Sequence, residues 1–156
     1  MNADAATETP PGLFSPRGRM TRMRYIAYSG GLSFLVMLAV GVIAAVLGAV
    51  LPGLSVLVMA VGYLAVLVLV VMLTIKRCHD FNATGWLALI LIVPIAAVIF
   101  WIIPGNEGDN RYGAVPPPNS TPVQVVAWIV IALTALSALS AVLAPGVLIA
   151  TMQPPA

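Results

Sequence analysis

At 156 residues, with 61% hydrophobic and 8% charged side chains, the chain is too apolar for a soluble domain, which carries about 25% charged residues. Its length suits one domain. The net charge of +2 comes from two basic clusters beside uncharged runs, a pattern that speaks for membrane topology signals and against nucleic-acid binding.

Residues 1–16 read as a disordered tail, because Asp4, Glu8, Pro10, Pro11 and Pro16 offer no periodicity and little to bury. Arg17, Arg19, Arg22 and Arg24 follow within eight residues, interleaved with Met20 and Met23. Such a segment sets orientation and can lie in the interface with its cations on anionic lipid headgroups, the first partner expected here.

From Tyr25 to Ile75 there are 51 residues without a charge. A single helix of that length would far exceed a hydrocarbon core of about 30 Å. Leu51-Pro52-Gly53-Leu54 is the strong breaker within it, so spans are expected at about 26–50 and 55–75.

A polar island, Lys76-Arg77-Cys78-His79-Asp80-Phe81-Asn82-Ala83-Thr84-Gly85-Trp86, comes next. It is followed by Trp86–Ile103, 18 apolar residues with Pro94 in the middle. This run is read as a third, kinked span, with a re-entrant hairpin about Pro94 as the alternative. Pro104–Pro122 reads as a turn-rich polar connector rather than a calcium loop, since Glu107 and Asp109 are few and the EF-hand spacing fails. Pro116-Pro117-Pro118 begins a proline-rich linker over 117–122. Val123–Leu143 is a fourth uncharged run, with Pro145-Gly146 expected to end it, and 123–156 reads as an added helix and tail.

The expectation is therefore an all-α integral membrane protein, a bundle of about four transmembrane helices. The basic clusters place the island and both termini in the cytoplasm and, with four spans, place Pro104–Pro122 outside.

Three motifs carry a family resemblance. Phe14-Ser15-Pro16-Arg17-Gly18-Arg19-Met20-Thr21-Arg22-Met23-Arg24-Tyr25 is similar to an F-x-G-R-x-x-R-x-x-[YF] opening with an insertion before the glycine. The central island is similar to R-R-x-H-D-x-G-x-S-G-W, and Gly108-Asp109-Asn110-Arg111-Tyr112-Gly113 to G-x-N-x-[YF]-G. Together they resemble the DUF805 family of small bacterial inner-membrane proteins, over about residues 14–116, giving a membrane domain at 17–116. Asn82 departs from the glycine usual at its position, Lys76 from arginine and Thr84 from serine. The resemblance implies a bacterial cytoplasmic-membrane location and no reaction. It marks Arg17, Gly18, Arg19, Arg22, Arg77, His79, Asp80, Gly85, Trp86, Asn110, Tyr112 and Gly113 as structural or interaction residues.

The residues themselves offer little for catalysis. Cys78, His79 and Asp80 are consecutive, and neighbours on a helix do not face one another. One cysteine and one histidine do not close a zinc site. No catalytic, cofactor or metal residue is therefore assigned. Asp80 is expected to pair with an arginine, and Asn82 or Thr84 to cap the third span. Small residues, Gly41-x-x-x-Ala45-x-x-x-Ala49 in span one and Thr134, Ser137, Ala138, Ala141 and Ala144 in span four, suit close helix approach, within the bundle or with a membrane-protein partner or second copy. The function expected is a non-enzymatic scaffold, assembly or accessory factor, and the alternative is a small transporter or channel for an uncharged or lipidic ligand.

Overall fold

The structure, a computed structural model, describes Gly12 and residues 15–152, with the side chains of all of these but Pro94 and residues 145–152. The tail expected at 1–16 falls outside the described residues except for Gly12, Ser15 and Pro16. The described chain is helical, and three of its helices are long and apolar enough to cross a bilayer.

The first, α1 (Arg22–Gly48), begins at Thr21, whose hydroxyl accepts the Arg24 amide as an N-cap should. A π-helical stretch over Ala27–Leu32 interrupts it, and regular α-helix continues over Ser33–Gly48. The second, α2 (Pro52–Asp80), starts with Pro52 in its first turn, where a missing amide costs nothing. The connecting turn is where the sequence placed it. Gly62 lets the two helices touch, since a Cβ there would come within 2.5 Å of a Val40 methyl.

α2 ends in a Schellman arrangement. The Asn82 amide donates to the His79 carbonyl and the Ala83 amide to the Cys78 carbonyl, at 3.2 and 2.9 Å. Asn82 takes the left-handed conformation this requires, at φ 59°. Glycine is favoured there for want of a Cβ, and asparagine is the next best residue, which accounts for its departure from the family pattern. Asn82 thus closes the preceding helix rather than capping the following one. Thr84 precedes the next helical segment but makes no side-chain capping bond, so that expectation is corrected for both residues.

Residues 86–103 do not cross as one helix. Gly85–Ile92 is 3₁₀-helical, Val93 is extended at φ −97° and ψ 104°, and Pro94–Val98 is again 3₁₀ before a last α-turn over Ile99–Ile102. The residue before a proline is driven out of the α region, and here that turns the chain back. At about 2.0 Å per residue, each limb reaches only about 16 Å, roughly half a hydrocarbon core. Both ends of the hairpin meet at the island, where the Asn106 amide donates to the Asp80 carbonyl at 2.8 Å. The re-entrant alternative is the one the structure adopts, and the placement of Pro104–Pro122 opposite the island is overturned.

The third long helix, α3 (Thr121–Met152), therefore starts at the basic end, where the Thr21 hydroxyl bonds the Asn119 side chain at 2.6 Å. It runs alongside α1, with Gly30 and Gly31 under Val130 and Val126 and Ala127 fully buried against Ile26 and Ala27. A Cβ at Gly30 or Gly31 would lie 2.5 or 2.6 Å from a valine methyl. Among the described residues, α3 packs on the Arg22–Leu32 part of α1 and on neither of the other long segments. It also continues through Pro145-Gly146 to Met152, so the expected stop is corrected. A proline removes one hydrogen bond, which a membrane helix tolerates. With α3 parallel to α1, the start of α1 and the end of α3 lie at opposite ends of the bundle, and the termini themselves fall outside the described residues.

This arrangement predicts a labelling pattern. Cys78 is fully buried, so the reporters are Arg17→Cys, Ser120→Cys and Val50→Cys in a Cys78→Ser background. An impermeant maleimide should label positions 17 and 120 from the same side and position 50 from the other. Labelling of 17 and 120 from opposite sides would restore the four-span arrangement.

Candidate functional site

The basic end is built round the last turn of α2. Arg77 and Asp80 are three residues apart on one helix face and pair directly, Nη1 to Oδ2. Arg19 reaches the other carboxylate oxygen, Nε to Oδ1 at 3.3 Å. The three side chains are between 0% and 6% exposed. A carboxylate so far from water needs such charge-assisted bonds, and the planar guanidinium supplies them.

The remaining guanidinium donors go to backbone. Arg77 donates from Nε to the Phe100 carbonyl at 2.9 Å, from Nη2 to the Ile103 carbonyl and from Nη1 to the Met20 carbonyl at 3.4 Å. The Phe100 and Ile103 carbonyls are orphans at the end of the hairpin, which lipid could not satisfy, and the Met20 carbonyl lies just before α1. Arg19 donates to the carbonyls of Asn106 at 2.7 Å, Gly108 at 2.8 Å and Gly113 at 3.2 Å. Arg22 reaches the Ile102 carbonyl at 3.4 Å.

The third motif docks on the same helix end. Asn110 donates from Nδ2 to the His79 carbonyl at 2.8 Å and accepts the Tyr112 amide at 2.9 Å. The Tyr112 ring stacks on the His79 imidazole, 3.8 Å between centroids and 7° from parallel. On the other side of the island, His79 Nδ1 faces the Gly18 carbonyl at 3.3 Å. Gly113 sits at φ 126°, a region reserved for glycine, which turns its carbonyl to Arg19. Arg111 donates to the Asn82 carbonyl at 3.1 Å and lies over the Tyr112 ring at 4.8 Å.

Ten of the twelve residues marked by the motifs thus meet in one assembly or touch its edge. Gly85 belongs by steric need, since a Cβ there would lie 2.9 Å from Ile75 and 3.4 Å from the His79 ring. Arg17 stands apart with its side chain exposed, and Trp86 lies outside the assembly, 78% exposed. Sequence reading missed Gly105, whose Cβ would overlap the Asp80 carboxylate, and Asn106. It also missed the buried Tyr25–Thr74 hydroxyl pair at 3.0 Å and the Lys76 ammonium, which donates to the Gly12 carbonyl. Pro104-Gly105 was the available signal for a tight approach.

Residues 13–114 match the family described as "Protein of unknown function (DUF805)". The chain belongs to that family. It is also similar to the inner membrane protein YhaI of Escherichia coli K12 and to YhaI of Escherichia coli O157:H7. Each is 34% identical over 103 residues, covering 64% of this chain and 83% of the relative. No solved structure matches. The match encloses all three motifs and stops short of α3. With three long apolar helices and this kinship, the chain is a bacterial inner-membrane protein of the DUF805 family.

Beside the polar assembly lies a cleft of about 430 Å³ between α2 and the first hairpin limb. Val71, Ile75, Ala88, Leu89 and Trp86 give it apolar walls, and His79, Thr84 and Tyr112 stand at its polar end.

The network predicts unequal costs. Asp80→Asn leaves Arg77 buried without its counter-charge and should lower unfolding stability in mixed micelles by about 3–5 kcal/mol. Asn82→Gly should be neutral or stabilising, whereas Asn82→Ala, forced into a left-handed conformation, should cost about 1 kcal/mol. A neutral Asp80→Asn would show that the ion pairs do not hold the hairpin.

Proposed function

We propose that this protein is a non-enzymatic membrane scaffold, assembly or accessory factor, acting through helix–helix contacts and through its basic face. The observation that carries this reading is the outward direction of its small-residue helix faces. Gly41 has no other part of the chain within 4 Å of a Cβ built on it, and Ala45 and Ala49 are exposed. Internal packing uses Val40, Ala44 and Gly62 instead. Thr134, Ser137, Ala138, Ala141 and Ala144 of α3 are exposed as well. Small faces let helix backbones approach closely, so they suit a membrane-protein partner or a second copy of this chain.

The basic face is the second contact surface. Re-entry brings Arg111 to the same end as Arg17, Arg19, Arg22, Arg24, Lys76 and Arg77, which gathers all seven lysines and arginines there. The Leu51–Leu54 turn at the far end is uncharged. By the positive-inside rule the basic end faces the cytoplasm, against anionic headgroups. The N-terminus is then cytoplasmic and the end of α3 is on the other side.

The test is crosslinking in native membranes. A photoreactive residue at Ala45 should give a discrete adduct with a partner or a second copy, while one at Val40, packed on Gly62, should not. Absence of any adduct at position 45, together with solute flux in liposomes containing this protein alone, would replace the scaffold with a transporter or channel.

A further inference from the structure

We infer that the cleft between α2 and the first hairpin limb is a binding site for one anionic phospholipid, its acyl chain between the apolar walls and its phosphate on Arg111. This inference rests on the reading of the basic face against anionic headgroups and not on the helix–helix contacts of the scaffold.

The walls have the geometry for a chain. Val71, Ile75 and His79 follow one another at four-residue steps on one face of α2, so they form a track that runs from the bilayer interior to the polar assembly. Ala88, Leu89 and Trp86 face them from the hairpin. Gly85 keeps the upper part of the floor narrow, since any side chain there would strike Ile75 and His79. Leu89 is 59% and Trp86 78% exposed, so the cleft opens sideways into lipid rather than into water. Apolar walls of this extent beside hydrocarbon gain dispersion contacts when a chain lies between them.

The polar end selects the headgroup. Arg111 does not line the cleft but stands next to its polar end, donating to the Asn82 carbonyl and lying over the ring of Tyr112, which lines the cleft. Among the described residues its guanidinium makes a single hydrogen bond, which leaves donors for a phosphate. The Thr84 hydroxyl is at the mouth, exposed and uncommitted to a cap. Trp86, at the same level, is where an amphipathic ring lies in an interface. Glu107 and Asp109 lie in the same loop, but Asp109 turns back to accept the Val115 amide. The charge at the rim is therefore a cation without a carboxylate pairing it among the described residues. That complementarity favours phosphatidylglycerol over a zwitterionic lipid.

The test is quenching of Trp86 fluorescence in Trp101→Phe/Trp128→Phe protein, reconstituted in phosphatidylcholine vesicles doped with chain-brominated lipid. Brominated phosphatidylglycerol should quench as well as about fivefold more brominated phosphatidylcholine, the factor expected for one basic side chain at an anionic headgroup. Arg111→Gln should abolish that preference, Arg17→Gln should leave it, and Ala88→Phe, which fills the cleft, should weaken quenching by both lipids. Equal quenching by both lipids in the parent protein would overturn the inference. So would an equal loss in Arg17→Gln, which would make the preference a general surface attraction. Copy-to-copy crosslinking through Leu89→Cys without lipid quenching would assign the cleft to a second chain instead. Native mass spectrometry of otherwise unaltered protein and of Arg111→Gln, counting retained phosphatidylglycerol, gives the same decision without the tryptophan replacements.

Discussion

Everything at the basic end depends on one guanidinium. Arg77 is fully buried, pairs with Asp80 and donates to the carbonyls of Phe100, Ile103 and Met20. A hairpin that enters a bilayer and returns must find partners for the carbonyls of its last turn, since lipid offers none. Arg77 is that partner. Asp80 compensates its buried charge, and Arg19 holds the second oxygen of that carboxylate. The three charges are mutually conditional. Through Arg19, the same unit also fixes the Asn106–Gly113 loop.

That condition explains the three family motifs as one structure. The first supplies Arg19 and the Gly18 carbonyl, the second supplies Arg77, His79, Asp80 and the Asn82 turn, and the third supplies Asn110, Tyr112 and Gly113. They lie far apart in the chain and meet on the last turn of α2. The long helices contribute apolar length and, at Gly62, Gly30 and Gly31, close approach. Specific polar chemistry is concentrated at one end.

Much of this was legible in the sequence, for definite reasons. Charge-free length gave the first two helices, Pro52-Gly53 gave their turn, and the scarcity of acids near six cations gave the pairing of Asp80. The hairpin was not legible. Trp86 and Trp101 flank 18 apolar residues as interfacial aromatics flank a span, and a proline within a membrane helix is ordinarily tolerated. What holds the returning limb at the basic end is a set of bonds from arginine to backbone carbonyls, and a carbonyl has no signature in a sequence. The position of the Gly108–Gly113 loop and the direction of α3 followed from that one ambiguity. The small-residue face of α1 carries a related lesson, since spacing shows that Gly41, Ala45 and Ala49 share a face but not which way it points.

The central claim is that Arg77, Asp80 and Arg19 hold residues 86–103 as a hairpin entering from the basic end. The most direct test is the bilayer depth of single nitroxides scanned from position 86 to 103 in Cys78→Ser protein, read from oxygen against nickel-chelate accessibility. The account predicts depth that rises to a maximum near Val93 and returns to the starting interface by Ile103. A depth profile that runs through the midplane and emerges at the opposite interface would contradict it.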